Sequence, residues 1–273
     1  MKNLAHLPEK GFSMKNFYDQ LSSHRSIRKY KSTPVPEEVM SRILMAGTRA
    51  SSSGNMQPYS IIVTTDKEVK KELLPHHFDQ NMVMDAPVLL TFCSDFHRMR
   101  LWLEANGAPE NFDNFMSFLI GMIDATLASQ NVALAAESEG LGICYMGTTL
   151  ASNKEISKVL SLPKYVVPVV GFSLGYPDEE PEIRDRLPMN GIVHKNIYQD
   201  YTQNQIKDIY KEKETLGMNR YMKNSELREA VENSGVKNLA QIYTKLKYTK
   251  ESHIKYSMDV LDCLKEQGFL AYS

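Results

Sequence analysis

No Cys-x-x-Cys pair, no G-x-G-x-x-G turn, no P-loop and no His-Glu-x-x-His helix occurs in this 273-residue chain. These absences exclude the commonest signatures of dithiol redox centres, dinucleotide folds, nucleotide triphosphate sites and zinc hydrolases. Gly171-Phe172-Ser173-Leu174-Gly175 is not a dinucleotide fingerprint. His76 and His77 are adjacent and would point apart on a helix, so no metal site is expected. Cys93, Cys144 and Cys263 are odd in number and widely spaced, which reads as reduced thiols rather than a disulfide framework. Neither sign of charge is in excess: 32 basic residues face 33 acidic ones, and the pI is about 6.7. No global field draws the chain to nucleic acid or an anionic membrane, so any basic site must be local. The longest apolar runs, Pro87 to Cys93 and Val166 to Phe172, are strand-sized, and Met1 to His6 holds no apolar signal core. The expectation is a cytoplasmic protein without a membrane span. No nucleophile–base set is visible either. An active site without acid–base machinery makes sense where a bound cofactor performs the chemistry.

What is present is an alternation of elements long enough to bury a substantial core. Residues 14–23 read as a short helix, and Pro36-Glu37-Glu38 opens an amphipathic one with Val39, Ile43 and Ala46 on one face. Strands are predicted at Ser60 to Thr65, Pro87 to Cys93, Gly142 to Tyr145 and Val166 to Leu174. Helices are predicted at Asp66 to Leu74, Phe115 to Gly140 and Asn153 to Leu160. The longest of these is rich in small residues, which suits close approach of another helix, in this chain or a second subunit. Strands alternating with helices indicate an α/β or α+β sheet protein. Near Tyr198 the composition turns charge-dense, and helices are predicted at Lys207 to Glu214, Ser225 to Glu232 and Lys250 to Gln267. Apolar residues are too sparse there to suggest a separate core.

Three clusters could carry chemistry. His24-Arg25-Ser26-Ile27-Arg28 concentrates cations and a hydroxyl, Ser51-Ser52-Ser53-Gly54-Asn55-Met56-Gln57 is small and polar, and Arg184 with Arg186 follows a glycine-bearing strand. Taken singly, the first reads as a solvated basic loop and the second as a turn or cap. Taken together they suit a phosphate, for which arginine supplies a rigid fork, and a planar ring. Interleaved aromatics of the kind that nucleic-acid binding uses are missing.

The same residues, in order, carry a resemblance. His24 to Arg28, Ser51-Ser52-Ser53-x-x-x-Gln57, Gln80 before the Pro87 strand, Gln130-Asn131, Gly140-Leu141-Gly142-x-x-Tyr145-Met146-Gly147, Gly175-Tyr176-Pro177, Arg184-x-Arg186-Leu187-Pro188 and Val193-His194-x-Asn196-x-Tyr198 all match. The chain resembles the FMN-dependent nitroreductase and flavin reductase superfamily, in its NADPH-dependent, oxygen-insensitive branch, over roughly residues 15 to 273. The resemblance implies an α+β nitroreductase-like fold with a central mixed sheet flanked by helices. It implies a core over residues 1–198, and a helical C-terminal extension of the same domain, 199–273, reaching over the partner of a homodimer. His24, Ser26, Arg184 and Arg186 would hold the FMN phosphate, and Arg28 would stand near N1 and the C2 carbonyl in an electrostatic catalytic role. Gln80 would bind the ring edge. Tyr145, Met146, Gly147 and Thr148 would line the ring near N5. Ser51, Ser52, Ser53, Asn55 and Gln57 would come from the other subunit. Arg25 would touch the ribityl chain or pair with a carboxylate. Thr148 replaces the branch's second glycine, and the segments 107–114 and 218–237 differ from it, which bears on substrate choice.

The implied activity is NAD(P)H oxidation, NADPH favoured, with electrons passed to a small-molecule acceptor such as a nitroaromatic, a quinone or free flavin. A specialised reductive enzyme of dehalogenase type, or a flavin-binding protein without turnover, are the alternatives. Arg220, Lys223, Arg228 and Lys237 are the cations available for a 2′-phosphate.

Overall fold

The two apolar runs become the central strands of a sheet, in a computed structural model that describes residues 14–270. The elements in chain order are α1 (Met14–Ser23), α2 (Glu37–Thr48), β1 (Tyr59–Thr64), α3 (Lys67–Leu73), α4 (Met82–Asp85), β2 (Val88–Asp95), α5 (His97–Ala105) and α6 (Phe115–Ser138). There follow β3 (Gly142–Tyr145), α7 (Thr148–Ala151), α8 (Asn153–Val159), β4 (Val166–Gly175), α9 (Gln203–Lys223), α10 (Ser225–Ser234), α11 (Leu239–Ile242) and α12 (Lys250–Glu266). The chain divides into two units: one runs to Glu182 and resumes at Met258, the other spans Ile183–Ser257. The composition shift at Tyr198 lies inside the second unit.

In the first unit the strand order is β1-β2-β4-β3. All three pairings are antiparallel, so among the described residues the sheet is antiparallel rather than mixed. β2 and β3 do point the same way, but β4 lies between them and pairs with both. Because successive side chains leave a strand on opposite faces, the sheet carries two apolar clusters. Val88, Leu90, Phe92, Ile143, Phe172 and Leu174 join α2 and α6 on one face. Leu89, Cys144 and Met146 meet Leu73, Val83 and Ile156 on the other. Each fully buried large side chain contributes roughly 1.5–3 kcal/mol. A bulge interrupts β4: Cys93 faces Pro168 and Phe92 faces Val170, leaving Val169 without a partner. Val167 and Val169 before that point, and Phe172 and Leu174 after it, therefore all join the same cluster.

The small-residue helix α6 packs against α2 of the same chain. A Cβ at Gly47 would stand 2.4 Å from Val132 Cγ2, and one at Gly121 would stand 2.2 Å from the Ser94 hydroxyl. Asn114 caps the helix by accepting the Ser117 N–H, and Gly140 ends it with φ +77°. By length and composition α6 could cross a membrane, yet its buried face, including the carboxylate Asp124, belongs to the core of this unit. The end of the expected extension also lies in this core, where Cys263, Leu264 and Phe269 are buried.

The second unit does bury a small core of its own: Val231, Val236 and Ile242, with Met218 and Tyr221 packed on them. A capping box of Thr202 and Gln205 starts α9.

Candidate functional site

The basic segment lies along the outer edge of β3. Ile27 N–H donates to the Ile143 carbonyl at 2.9 Å, Lys31 N–H to Tyr176, and Asp178 N–H to the Lys29 carbonyl. Gly142 permits this approach, since a Cβ there would stand 2.5 Å from Ile27 Cγ1. Three carboxylates shape the segment. His24 Nδ1 meets Glu137 on α6 at 2.5 Å. Arg25 donates to Glu180 at 3.1 Å and to the Pro181 carbonyl at 3.2 Å, so its partner within this chain is a carboxylate. Glu179 accepts the backbone N–H groups of Arg28 and Lys29. Burial raises the Cys144 thiol pKa, and neighbouring Arg28 and Ser26 partly oppose the rise. The Arg28 side chain is exposed and donates only a long 3.4 Å bond to the Ser26 carbonyl. Among the described residues its guanidinium has no carboxylate partner.

β3 delivers the second piece. Tyr145 packs edge-on against Phe172, centroids 5.1 Å apart, and its hydroxyl shares a 3.1 Å hydrogen bond with Ser129 on α6. Burial raises the Tyr145 pKa, and the Ser129 bond partly opposes it. Met146 N–H donates to the Gly171 carbonyl at 2.8 Å. The space beside Gly147 is open, with nothing within 4 Å of where its Cβ would be. Thr148, at the start of α7, shares a buried 2.8 Å hydrogen bond with His77 Nδ1. Burial lowers the His77 pKa to about 4, so its imidazole is neutral. Phe78 and Asp79 then take left-handed conformations, φ +56° and +53°, which cost non-glycine residues about 1–2 kcal/mol each. They lead to half-buried Gln80, whose N–H donates to the His77 carbonyl.

The polar run is anchored elsewhere. Ser52 Oγ donates to Asp124 Oδ2 at 2.6 Å, and the Ser53 N–H and hydroxyl donate to the same carboxylate at 3.2 Å. Gln57 N–H donates to Ser52 Oγ, and Gln57 Nε2 to Asn55. Gly54, Asn55 and Gln57 are all left-handed, and Ser51 is exposed. Gln57 and Arg98 line a cleft of about 530 Å³. Asp124 and Glu137 are thirteen residues apart on α6, about 20 Å along a helix axis. Within one chain, therefore, Ser52 and His24 do not share a ligand-sized site.

Arg184 and Arg186 belong to the second unit and are exposed. Asp185 between them turns inward to Arg220 at 2.7 Å, with Lys213 at 4.0 Å. Burial would raise this carboxyl, but the Arg220 bond and the two cations outweigh it and hold the pKa below its ordinary value. Arg220 is thus engaged within the unit. His194 stacks on Tyr198 at 4.3 Å and shares a hydrogen bond with Tyr201 beside a cleft of about 450 Å³.

The structure thus joins His24, Ser26 and Arg28 to the Tyr145–Thr148 turn and, through His77, to Gln80. It sets Ser51 to Gln57 apart. The carboxylates Asp124, Glu137, Glu179 and Glu180, and the imidazole of His77, had no local signal in the sequence. Their partners lie 71 to 155 positions away. Among the described residues no group of three or more His, Cys, Asp or Glu could hold a metal.

Comparison with known proteins agrees with this architecture. A profile of the nitroreductase family matches residues 21–176. The chain is 33% identical over 260 residues to an FMN reductase of Bacillus subtilis, covering 94% of this chain and 98% of that one. It is 37% identical over 195 residues to an NADPH-flavin oxidoreductase of Vibrio harveyi, covering 71% and 79%. A Cr(VI) reductase of a Pseudomonas strain is 33% identical over 178 residues, covering 65% and 73%. A solved oxidoreductase of Bacteroides fragilis superposes with a TM-score of 0.85 at 38% identity, over 92% of this chain and 99% of that one. The class is that of the NAD(P)H-linked flavin oxidoreductases. The chain belongs to the nitroreductase family, and FMN and a nicotinamide nucleotide are its cofactors.

The donor set fits that group. Arg28 offers a cation without a carboxylate partner among the described residues, Ser26 a hydroxyl, and Gly147 a backbone with open space beside it.

Proposed function

We propose that this protein takes electrons from NADPH in preference to NADH and passes them to electron-poor small molecules: nitroaromatics, quinones or free flavin. The observation that carries this reading is the Ile27–Ile143 hydrogen bond, which ties the segment bearing Arg28, a cation with no carboxylate partner among the described residues, to β3, the strand that leads into the open turn at Gly147. Bound FMN supplies the two-electron chemistry. The protein's residues bind and bias it. His24, Ser26, Arg184 and Arg186 hold the phosphate, Gln80 and the Tyr145–Thr148 turn hold the ring, and the Arg28 cation favours the more negative reduced state. Arg25 holds the basic segment to Glu180. The acceptor is not tightly specified, and a Cr(VI) reductase among the relatives is in keeping with that breadth.

The protein works as a homodimer in this reading. Ser51, Ser52, Ser53, Asn55 and Gln57 complete the site of the partner, because the Asp124 anchorage puts them about 20 Å from Glu137 within their own chain. Exposed Met116, Ile123 and Leu127 on α6 supply an apolar face for such an interface. The helical extension contributes to the neighbouring subunit, and Arg228 and Lys237 remain as cations for the 2′-phosphate. Three unpaired cysteines fit the reducing cytoplasm.

The test is direct. The purified protein should be yellow, release FMN on denaturation, bleach with NADPH under anaerobic conditions, and recover its colour with menadione or nitrofurazone. A colourless protein, released FAD, or a flavin that NADPH does not bleach would overturn the reading.

A further inference from the structure

We infer that His77 and Thr148 form a buried tie that positions the two sides of the flavin ring site together, making His77 a positioning residue for cofactor binding. The inference rests on the flavin reading above. Thr148 follows the open Gly147 directly, and its hydroxyl ends on His77 Nδ1 at 2.8 Å, with both side chains buried. His77 is also the residue that sets Gln80. Its carbonyl accepts the Gln80 N–H, and the Gln80 carbonyl in turn accepts the Val83 N–H, opening α4. Between His77 and Gln80 the chain passes through two consecutive left-handed residues, Phe78 and Asp79. Such a conformation persists where its surroundings over-determine it. One residue therefore holds the turn beside Gly147 with its side chain and the approach to Gln80 with its backbone. A glycine at 148 would have no hydroxyl to offer, and the two segments would lose this connection.

The tie also has the right chemistry to be permanent. A neutral imidazole has one nitrogen that donates and one that accepts, so it can satisfy a hydroxyl in either direction. With burial keeping His77 uncharged, the bond does not come and go across the physiological pH range.

The experiment uses the full chain with Thr148→Val, which keeps the shape and removes the hydroxyl, Thr148→Ser, which keeps the hydroxyl, His77→Gln, and the Thr148→Val/His77→Gln double variant. Two readouts are taken: amide hydrogen exchange at Gln80 and Val83 in flavin-free protein, and FMN affinity by fluorescence titration. Thr148→Val is expected to speed exchange at Gln80 and Val83, more than sixty residues away in sequence, and to weaken FMN binding by up to roughly tenfold, the scale of one lost hydrogen bond. Thr148→Ser should restore both. The double variant should be no worse than the poorer single variant, because both remove the same bond. Unchanged exchange at Gln80 in Thr148→Val, unchanged FMN affinity, or additive losses in the double variant would overturn the tie. A wild-type protein that binds no FMN would instead overturn the proposed function, and the exchange readout would still decide whether the tie exists.

Discussion

The two carboxylates of α6 do opposite things with buried charge. Asp124, 1% exposed, accepts hydrogen bonds from Ser52 and from both the backbone and the side chain of Ser53, leaving no orphaned oxygen. Glu137, thirteen residues on, meets His24 with one oxygen, while its Oε2 is buried without a partner among the described residues. A fully satisfied buried carboxylate is an anchor, and removing it leaves several donors stranded. A half-satisfied one contributes little to stability but places a charge where the basic segment begins. The same helix thus fixes the shape of the serine run at one end and sets a carboxylate against His24 at the other.

The largest effect is expected at the anchor. Asp124→Ala should lower unfolding free energy by about 3 kcal/mol in urea denaturation, since charge-assisted hydrogen bonds carry roughly 1.5–3 kcal/mol each. Asp124→Asn should lose less. At the other end, Arg28→Ala should slow flavin reduction by NADPH ten- to a hundredfold and lower the flavin midpoint potential. Its stability should stay within about 0.5 kcal/mol of wild type, as for an exposed side chain. An unchanged potential would make Arg28 a structural residue and erase the functional half of the contrast.

His77 gives a pH signature to the site end. Its folded pKa of about 4 lies below the unfolded value of 6.5, so the unfolded chain takes up the proton first and stability is full above pH 6.5. That stability is lost as pH falls from 6.5 toward 4. From pH 7 to pH 5 this group alone should cost about 2 kcal/mol. Denaturation of His77→Gln at the two pH values should lack that component, and an identical pH dependence would refute it. The smallest stability effect is expected for Glu137→Gln, within about 1 kcal/mol, accompanied by an altered FMN affinity. If it destabilises as strongly as Asp124→Ala, the two ends of α6 do not differ.

Much of the fold was legible because its elements carry strong local signals. β3 and α1 were readable to the residue, and β4 and α6 to within one or two residues, from β-branched runs, caps and Gly140. α5 was not read at all. None of its side chains is buried and its Phe96 cap makes no side-chain bond, so it presents neither a stripe nor a start signal. α4, α7 and α11 are only four residues long. The resemblance implied a mixed sheet, whereas the described strands pair only antiparallel, and a strand's own residues do not encode the orientation of its neighbour. In the site, the cations and the glycine turn stood out by type. The carboxylates that hold them did not, since Glu137, Glu179 and Asp124 look like any solvated acid until the fold brings a partner from far along the chain. The expectation of a coreless C-terminal segment failed for a related reason. Val231, Val236 and Ile242 are too few to register as a pattern, yet enough to bury one another.

The unpaired residue Val169 acts as a phase shift in β4. Upstream of it, odd-numbered side chains fill the α6-side cluster, and downstream even-numbered ones do. The downstream half also carries the Gly171 carbonyl that receives Met146, and Gly175, where a Cβ would stand 2.5 Å from Pro87 Cδ. Substitution and deletion at this position therefore belong to different categories of change. A smaller side chain would trim one contact, whereas loss of the residue would leave a regular ladder, with Phe172 and Leu174 still opposite Leu90 and Val88, and would remove the local bend and extra twist of the bulge. The core and the Tyr145–Thr148 turn are thus referred to one strand through an offset of a single residue, and what Val169 adds is the bend between the two halves of that strand.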